Sequence, residues 1–230
     1  MALRLLLVRH GLSSFNVEKR IQGRNDLSSL TQEGKIQALT TGKVLSEIAI
    51  DHIYSSPLKR ASETTENIIR SCKQDIKPIY DNELLEVQLG EWSGLTIQEV
   101  KSKFPNDYET WQNNPCDLEI KLNGEKYKPI QELYSQAKSF LNKLLKKHPP
   151  ETNKTVLIVA HNAILRALIL NLIGKDGQGF RRIRLNNTSI SIFNLNKNQN
   201  NSIKVQIECL NSTTHLDPPI PRKGNKARII

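Results

Sequence analysis

Short apolar runs and longer stretches of helical spacing follow one another along the chain. Residues 4–9 form a nearly continuous apolar run, which predicts a strand covered on both faces of a parallel sheet. After Thr31, a candidate N-cap, apolar residues recur at helical spacing to about residue 48 and predict a helix. The next predicted elements are a strand at residues 52–55, a helix at 57–72 opened by Pro57, and a strand at 77–80. The first third of the chain therefore has a β-α-β-α-β order.

The remainder of the chain resumes this alternation after a more polar stretch. Residues 96–128 carry two short helical patterns and a lysine-rich loop, and we interpret them as an insertion over the sheet. The later predicted elements are a helix at residues 129–147, a strand at 155–160, a helix at 163–172, and strands at 189–195 and 202–210. Together these elements predict an α/β fold with a doubly wound, mostly parallel sheet and helices on both faces.

Length and composition fit one domain followed by a tail. The chain has 230 residues, and we predict that residues 1–215 form a single domain that includes the insertion at about 96–128. Residues 216–230 contain three prolines and several basic residues, which predicts an extended basic tail or linker. The last five residues, KARII, echo ALRLL at residues 2–6. The start of a second copy in a tandem protein is one explanation of this echo, and coincidence is the other.

The formal net charge of +10 raises the question of an acidic partner. The lysines and arginines are scattered and aromatic residues make up only 5% of the chain, which argues against a nucleic-acid-binding surface. The three cysteines lie far apart without C-x-x-C spacing, which argues against a disulfide framework or a zinc knuckle and fits a reducing compartment. No apolar stretch approaches membrane-spanning length. We therefore expect a cytoplasmic protein with neither nucleic-acid nor membrane partners.

Two histidines directly follow the two clearest predicted strands. His10 comes after RLLLVR, and His161 comes after TVLIVA. The carboxyl ends of strands border the ligand crevice of an open α/β sheet, so two histidines at equivalent positions favour catalysis over structural roles. A histidine attacks phosphorus through a neutral ring nitrogen while a backbone carbonyl holds the other as N–H, and Gly11 lets the chain turn closely enough for that. The remaining histidines lack such a setting and are interpreted as structural or surface residues: His52, His148 and His215.

Phosphoryl transfer also requires fixed positive donors around the equatorial oxygens. Arg9 and Arg60 offer the bidentate fork that lysine lacks, and a protonated His161 would add a further donor. Arg60 lies just inside a helix that follows a strand, where backbone N–H donors also gather. Without these neighbours, an exposed helical arginine would be the default interpretation of Arg60.

These motifs resemble the histidine phosphatase superfamily, which includes cofactor-dependent phosphoglycerate mutases and fructose-2,6-bisphosphatases. The likeness covers residues 3–195 and implies a phosphoglycerate mutase-like fold that acts without metal or cofactor. It implies that the catalytic residues are His10, Glu86 and His161. It implies that the substrate-binding residues are Arg9, Gly11, Asn16, Gln22, Gly23, Arg60 and Asn162. These positions come from the segments RHG, the loop at 16–23, SSPLKRA, LLEVQLGEWSG and VAHNA.

Glu86 is the proton donor that the resemblance implies, in preference to Glu91. It would protonate the departing ester oxygen and then help to activate water. The sequence departs from the family pattern at Leu12 and at Ser28-Ser29. It also departs from it at Asn162, a position where relatives usually carry glycine. None of these departures removes the catalytic set.

Within the superfamily, the segments RIQG, WQNNP and AHNA resemble 2-carboxy-D-arabinitol-1-phosphate phosphatases. This resemblance implies a phosphomonoesterase for a small acidic sugar phosphate, with 2-carboxy-D-arabinitol 1-phosphate as the candidate and no partner beyond that small molecule. One alternative is a cofactor-dependent phosphoglycerate mutase, but the insertion at 96–128 lacks the adjacent arginine pair of the mutase lid. The other alternative is an inactive basic binding module, which the intact catalytic set argues against. The sequence leaves the oligomeric state open.

Overall fold

The computed structural model describes residues 2–122, 124–200 and 202–216, and a six-stranded sheet forms its centre. The strands are β1 (Leu3–Arg9), β2 (His52–Ser55), β3 (Ile79–Tyr80), β4 (Ile120–Leu122), β5 (Glu125–Tyr127), β6 (Thr155–Ala160), β7 (Ile190–Lys197) and β8 (Ile203–Ser212). The α-helices are α1 (Ser14–Val17), α2 (Gln32–Leu45), α3 (Lys59–Cys72), α4 (Ile97–Lys103), α5 (Pro105–Asn113), α6 (Pro129–Lys147) and α7 (Asn162–Leu172). The central sheet has the order β3-β2-β6-β1-β7-β8, while β4 and β5 form a separate hairpin.

The strand directions bring the two histidine-bearing strand ends together. Strands β3, β2, β6 and β1 are mutually parallel, whereas β7 and β8 run antiparallel at one side. The β1–β6 pairing runs in register as far as Arg9 opposite Ala160. His10 directly follows β1 and His161 directly follows β6, so both lie at the same edge of the sheet.

The alternation of β1 side chains divides the core into two layers. Leu3, Leu5 and Leu7 point to the face that α6 and α7 cover, in one cluster with residues such as Phe140. Leu6 and Val8 point to the opposite face, where they meet apolar residues of α2 and α3. Because both faces of the strand are buried, the sequence shows a continuous apolar run instead of a polar alternation. The predicted doubly wound, mostly parallel α/β sheet is confirmed.

Several predicted boundaries differ from the structure for local reasons. Helix α3 begins at Lys59, so the prediction that Pro57 opens it was wrong; Leu58, with extended backbone angles, is the N-cap. The lysine-rich loop contains the β4–β5 hairpin, in which Gly124 adopts a φ of 88°. Glycine takes this conformation without a steric penalty, so a short hairpin forms where the sequence suggested only a loop.

Part of the predicted division of the chain into a domain and a tail concerns residues that the structure does not describe. The predicted tail falls on residues 216–230, of which only Leu216 is described, and the echo at 226–230 also lies outside them. The extent of the domain and the tandem hypothesis therefore stay predictions. In the described part of the chain, no helix is long and apolar enough to cross a membrane.

Candidate active site

His10 is buried at the carboxyl end of β1 and is held in one tautomer. Its backbone N–H donates to the Ala160 carbonyl (2.9 Å), which continues the pairing of β1 with β6. Its ring Nδ1 lies 2.8 Å from the Gly11 carbonyl oxygen, which can only accept, so Nδ1 carries the proton. Burial, with the positive charges of Arg9 and Arg60, holds the pKa of His10 well below 6.5. Nε2 is therefore an unprotonated nitrogen at neutral pH, as a nucleophile requires.

The loop after His10 is tightly fixed. A Cβ added at Gly11 would lie 2.6 Å from the carbonyl oxygen of Gly34 in α2, so only glycine permits this approach. The Gly11 N–H donates to Thr64 Oγ1 (2.9 Å). On the other side, Asn187 Nδ2 donates to the carbonyls of both His10 (2.9 Å) and Gly11 (3.1 Å). These contacts fix the carbonyl that sets the His10 tautomer.

His161 is completely buried at the N-cap of α7, with its ring centroid 5.3 Å from that of His10. Its Nε2 lies 2.7 Å from Ser56 Oγ. The Ser56 oxygen already accepts from the Leu58 N–H (3.4 Å), so its hydroxyl proton is available to His161 Nε2. In that arrangement the proton of the neutral ring sits on Nδ1, a buried atom without a hydrogen-bond partner in the described structure.

The surroundings of His161 favour its neutral form. Burial, then the charges of Arg60, His10 and Arg9, hold the pKa of His161 well below 6.5. These effects oppose the protonated His161 that the sequence analysis expected, which stays a prediction for the substrate complex. The negative charge of a phosphoryl group would oppose these effects and raise the pKa, because an opposite charge favours the charged form. Even when neutral, the ring can donate one hydrogen bond through Nδ1–H.

Arg9 and Arg60 are buried cations whose guanidinium groups are held in position by hydrogen bonds to backbone carbonyls. Arg9 Nη1 donates to the Leu185 carbonyl (2.9 Å). Arg60 donates to the carbonyls of Asn25 (3.0 Å) and Gly23 (2.8 Å). The Nε atoms of both arginines are buried and lack a hydrogen-bond partner among the described residues. Burial lowers the pKa of Arg9 to about 9 and that of Arg60 to about 10, although a nearby carboxylate opposes this. Such incompletely compensated buried cations form a site for an anion.

That carboxylate belongs to Glu86, which is 7% exposed and lies at the N-terminus of α7. Its side-chain oxygens accept from the backbone N–H groups of Val87 (3.0 Å), Ala163 (3.1 Å) and Ile164 (3.2 Å). The free N–H groups and the dipole of a helix N-terminus hold a carboxylate in a defined position. Glu91, the second-ranked donor, is exposed and lies outside this cluster.

Most of these side chains line one small cavity. Its lining is Arg9, His10, Ile21, Gln22, Gly23, Arg60, Glu86, Val87, Leu89, Trp111, Asn162, Ala163, Arg166 and Phe180. Seven of the ten predicted site residues are in this lining, and the other three are Gly11, Asn16 and His161. Asn16 Oδ1 instead accepts from Ser13 Oγ (3.0 Å) and Asn187 Nδ2 (3.1 Å), so Asn16 braces the loop after β1.

Sequence reasoning missed several residues of the site. Trp111, from the insertion, packs edge-on against Phe180 (centroids 6.2 Å apart), and both rings wall the cavity. Arg166 is the only charged residue of α7, whose other residues are apolar except for Asn162 and Asn171, and this signal was visible in the sequence. Ser56 and Asn187 left no comparable signal, because their roles depend on contacts with distant residues. No group of three or more potential metal-ligating side chains occurs within the described residues.

The chain is similar to several known proteins in sequence and in fold. The family model of the histidine phosphatase superfamily (branch 1) matches residues 5–208. Phosphoserine phosphatase 1 of Hydrogenobacter thermophilus is 34% identical over 206 residues, which are 90% of this chain and 93% of that protein. The 2-carboxy-D-arabinitol-1-phosphatase of Triticum aestivum is 36% identical over 191 residues, which are 83% of this chain but only 37% of that protein. The structure of Bacillus stearothermophilus YhfR superimposes with a TM-score of 0.78 at 28% identity, covering 90% of this chain and 96% of that one.

Proposed function

Because this chain belongs to the histidine phosphatase superfamily (branch 1), we propose that it is a metal-independent phosphomonoesterase that hydrolyses a small acidic sugar phosphate through a phosphohistidine. One observation carries the proposal: an unprotonated Nε2 of His10 in a cavity that also presents Arg9, Arg60 and Glu86. The name of the wheat relative supports 2-carboxy-D-arabinitol 1-phosphate as the candidate substrate.

In the first step, the Nε2 lone pair of His10 attacks phosphorus in line with the ester oxygen. The N–P bond forms while the P–O ester bond breaks, and the equatorial oxygens are held by N–H donors of Arg9, Arg60 and His161. In the substrate complex Glu86 enters this step as the carboxylic acid, and the departing oxygen takes its proton and leaves as an alcohol. The product of this step is phosphohistidine at His10 and a Glu86 carboxylate.

In the second step, water attacks the phosphohistidine. The Glu86 carboxylate accepts the proton of the attacking water, as the reverse of its role in the first step. The N–P bond breaks, inorganic phosphate forms, and His10 recovers its unprotonated Nε2. The carbonyl of Gly11 keeps the proton on Nδ1 throughout, so the ring returns to the same tautomer.

The charge and the walls of the cavity support an acidic substrate of modest size. Three cationic side chains line it, namely Arg9, Arg60 and Arg166, against the single carboxylate of Glu86. Among the described residues of the insertion, Trp111 alone is in the lining, so the insertion brings no cation to the cavity. This favours transfer to water over the mutase alternative. A binding module would not require a histidine with a set tautomer.

Phosphate release from a panel of phosphomonoesters in the presence of a chelator tests the proposal, with His10→Ala as the control. The panel includes 2-carboxy-D-arabinitol 1-phosphate, 3-phosphoglycerate and phosphoserine. We expect chelator-resistant release that the His10→Ala substitution abolishes. Full activity of His10→Ala would overturn the mechanism. Interconversion of phosphoglycerates after priming with a bisphosphate, without phosphate release, would identify a mutase instead.

A further inference from the structure

Arg166 is a cation in the cavity that the proposed reaction does not use. It lies one helical turn after Asn162 on α7, so the two side chains share the face that lines the cavity. Its guanidinium carbon lies over the Phe180 ring, 5.3 Å from the ring centroid. Its Nε is buried and has no hydrogen-bond partner within the described residues. A buried cation with an unsatisfied donor in the cavity wall thus points to a ligand.

The charges around Arg166 do not neutralise it. Burial and then the charge of Arg181 lower the pKa of Arg166 to about 10, and only Glu86 opposes them. The Glu86 oxygens already accept three backbone N–H bonds at the start of α7. Among the described residues, no carboxylate forms an ion pair with Arg166. The side chain therefore retains the capacity to bind an anion from outside the protein.

The site indicates which kind of anion Arg166 would bind, in addition to the phosphoryl group. Arg9 and Arg60 already flank His10, where the phosphoryl group would react. Arg166 reaches the cavity from α7 and lies against the Phe180 ring. A guanidinium fork matches the two oxygens of a carboxylate, and neighbouring aromatic walls strengthen such a pair by excluding water.

We propose that Arg166 binds a carboxylate of the substrate while Arg9, His10 and Arg60 engage its phosphoryl group. The cavity then selects phosphomonoesters that carry a carboxylate a few bonds from the ester oxygen. This inference rests on the proposed function and adds the residue that recognises the acidic part of the substrate.

The test compares substrates that differ only in the carboxylate. The pairs are 3-phosphoglycerate with glycerol 1-phosphate, and phosphoserine with phosphoethanolamine. The variants are Arg166→Gln, which removes the charge, Arg166→Lys, which keeps the charge without the fork, and Arg182→Gln, a matched control at an exposed arginine outside the cavity lining. Thermal unfolding verifies that each variant is folded.

We expect the intact protein to prefer the carboxylated member of at least one pair. Arg166→Gln should lower kcat/KM for that member about 10- to 100-fold, the range for one charge-assisted hydrogen-bonded pair, mainly through KM. It should leave the uncarboxylated member nearly unchanged, Arg166→Lys should recover part of the loss, and Arg182→Gln should behave like the parent protein.

Two results would overturn the inference while leaving the proposed function intact. One is equal hydrolysis of both members of each pair by the unmodified protein. The other is an equal loss for both members in Arg166→Gln. A protein with no His10-dependent hydrolysis of any substrate would instead overturn the proposed function, and the site with it. Calorimetric binding to His10→Ala gives a readout without turnover: 3-phosphoglycerate should bind more weakly when Arg166→Gln is added.

Discussion

Replacement of Ser56 by alanine tests whether the tautomer of His161 matters for catalysis. The substitution removes the 2.7 Å contact between Ser56 Oγ and His161 Nε2 and leaves that nitrogen buried without a partner. An unsatisfied buried polar atom costs about 1–3 kcal/mol, so the free energy of unfolding should fall by that amount. The ring would also lose the hydroxyl that favours the Nδ1–H tautomer. We expect kcat/KM to fall about 10- to 100-fold, mainly in kcat, because this donor acts on transition-state charge.

Ser55→Ala is the matched control for this experiment. Ser55 is equally buried at the end of β2. Its Oγ donates to the Ser56 carbonyl (3.0 Å) and accepts from Thr65 Oγ1 (2.8 Å), and it forms no hydrogen bond with His161. Urea unfolding and steady-state kinetics on both variants separate stability from catalysis. Ser55→Ala should lose stability and keep its kcat/KM. Unchanged kcat/KM in Ser56→Ala, or the same loss in both variants, would refute the reasoning.

Three further predictions concern the same site. Glu86→Gln should lower kcat about 100- to 10,000-fold on alkyl phosphates. It should lower kcat far less on p-nitrophenyl phosphate, because that leaving group needs no proton. Equal slowing on both substrates would contradict the role of Glu86 as proton donor. The folded state keeps the pKa of His10 and His161 well below 6.5, so the unfolded chain binds more protons below that pH. The free energy of unfolding should therefore fall as the pH drops below 6.5, and urea titrations at about pH 5 and pH 7 with equal midpoints would argue against this. Gly34→Ala should reduce the free energy of unfolding by about 3 kcal/mol, because the new Cβ would lie 2.1 Å from the Leu12 carbonyl oxygen; an unchanged thermal midpoint would exclude this clash.

The periodicity of the sequence determined those helices and strands whose ends are marked by a proline or a polar loop. Helix α6 and strand β6 have the predicted bounds, 129–147 and 155–160, because each combines a clear apolar pattern with a proline or a polar loop beside it. Strand polarity then brought His10 and His161 to one edge, since parallel strands end on the same side. The resemblance implied the other site residues, among them Arg60 and Glu86, which the structure brings to the same cavity.

The tertiary structure alone decided the parts that depend on residues far apart in the chain. Ser56 meets His161 because β2 lies beside β6, and Trp111 reaches the cavity because the insertion folds against Phe180. The charge state of His161 follows from burial among other cations, which no local pattern encodes. Arg166 depends on both levels. The sequence shows it as the only charged residue of α7, whereas its buried, unpaired Nε is a property of the packed fold. Local periodicity fixes the elements, whereas desolvation and contact between distant segments arise only when those elements pack.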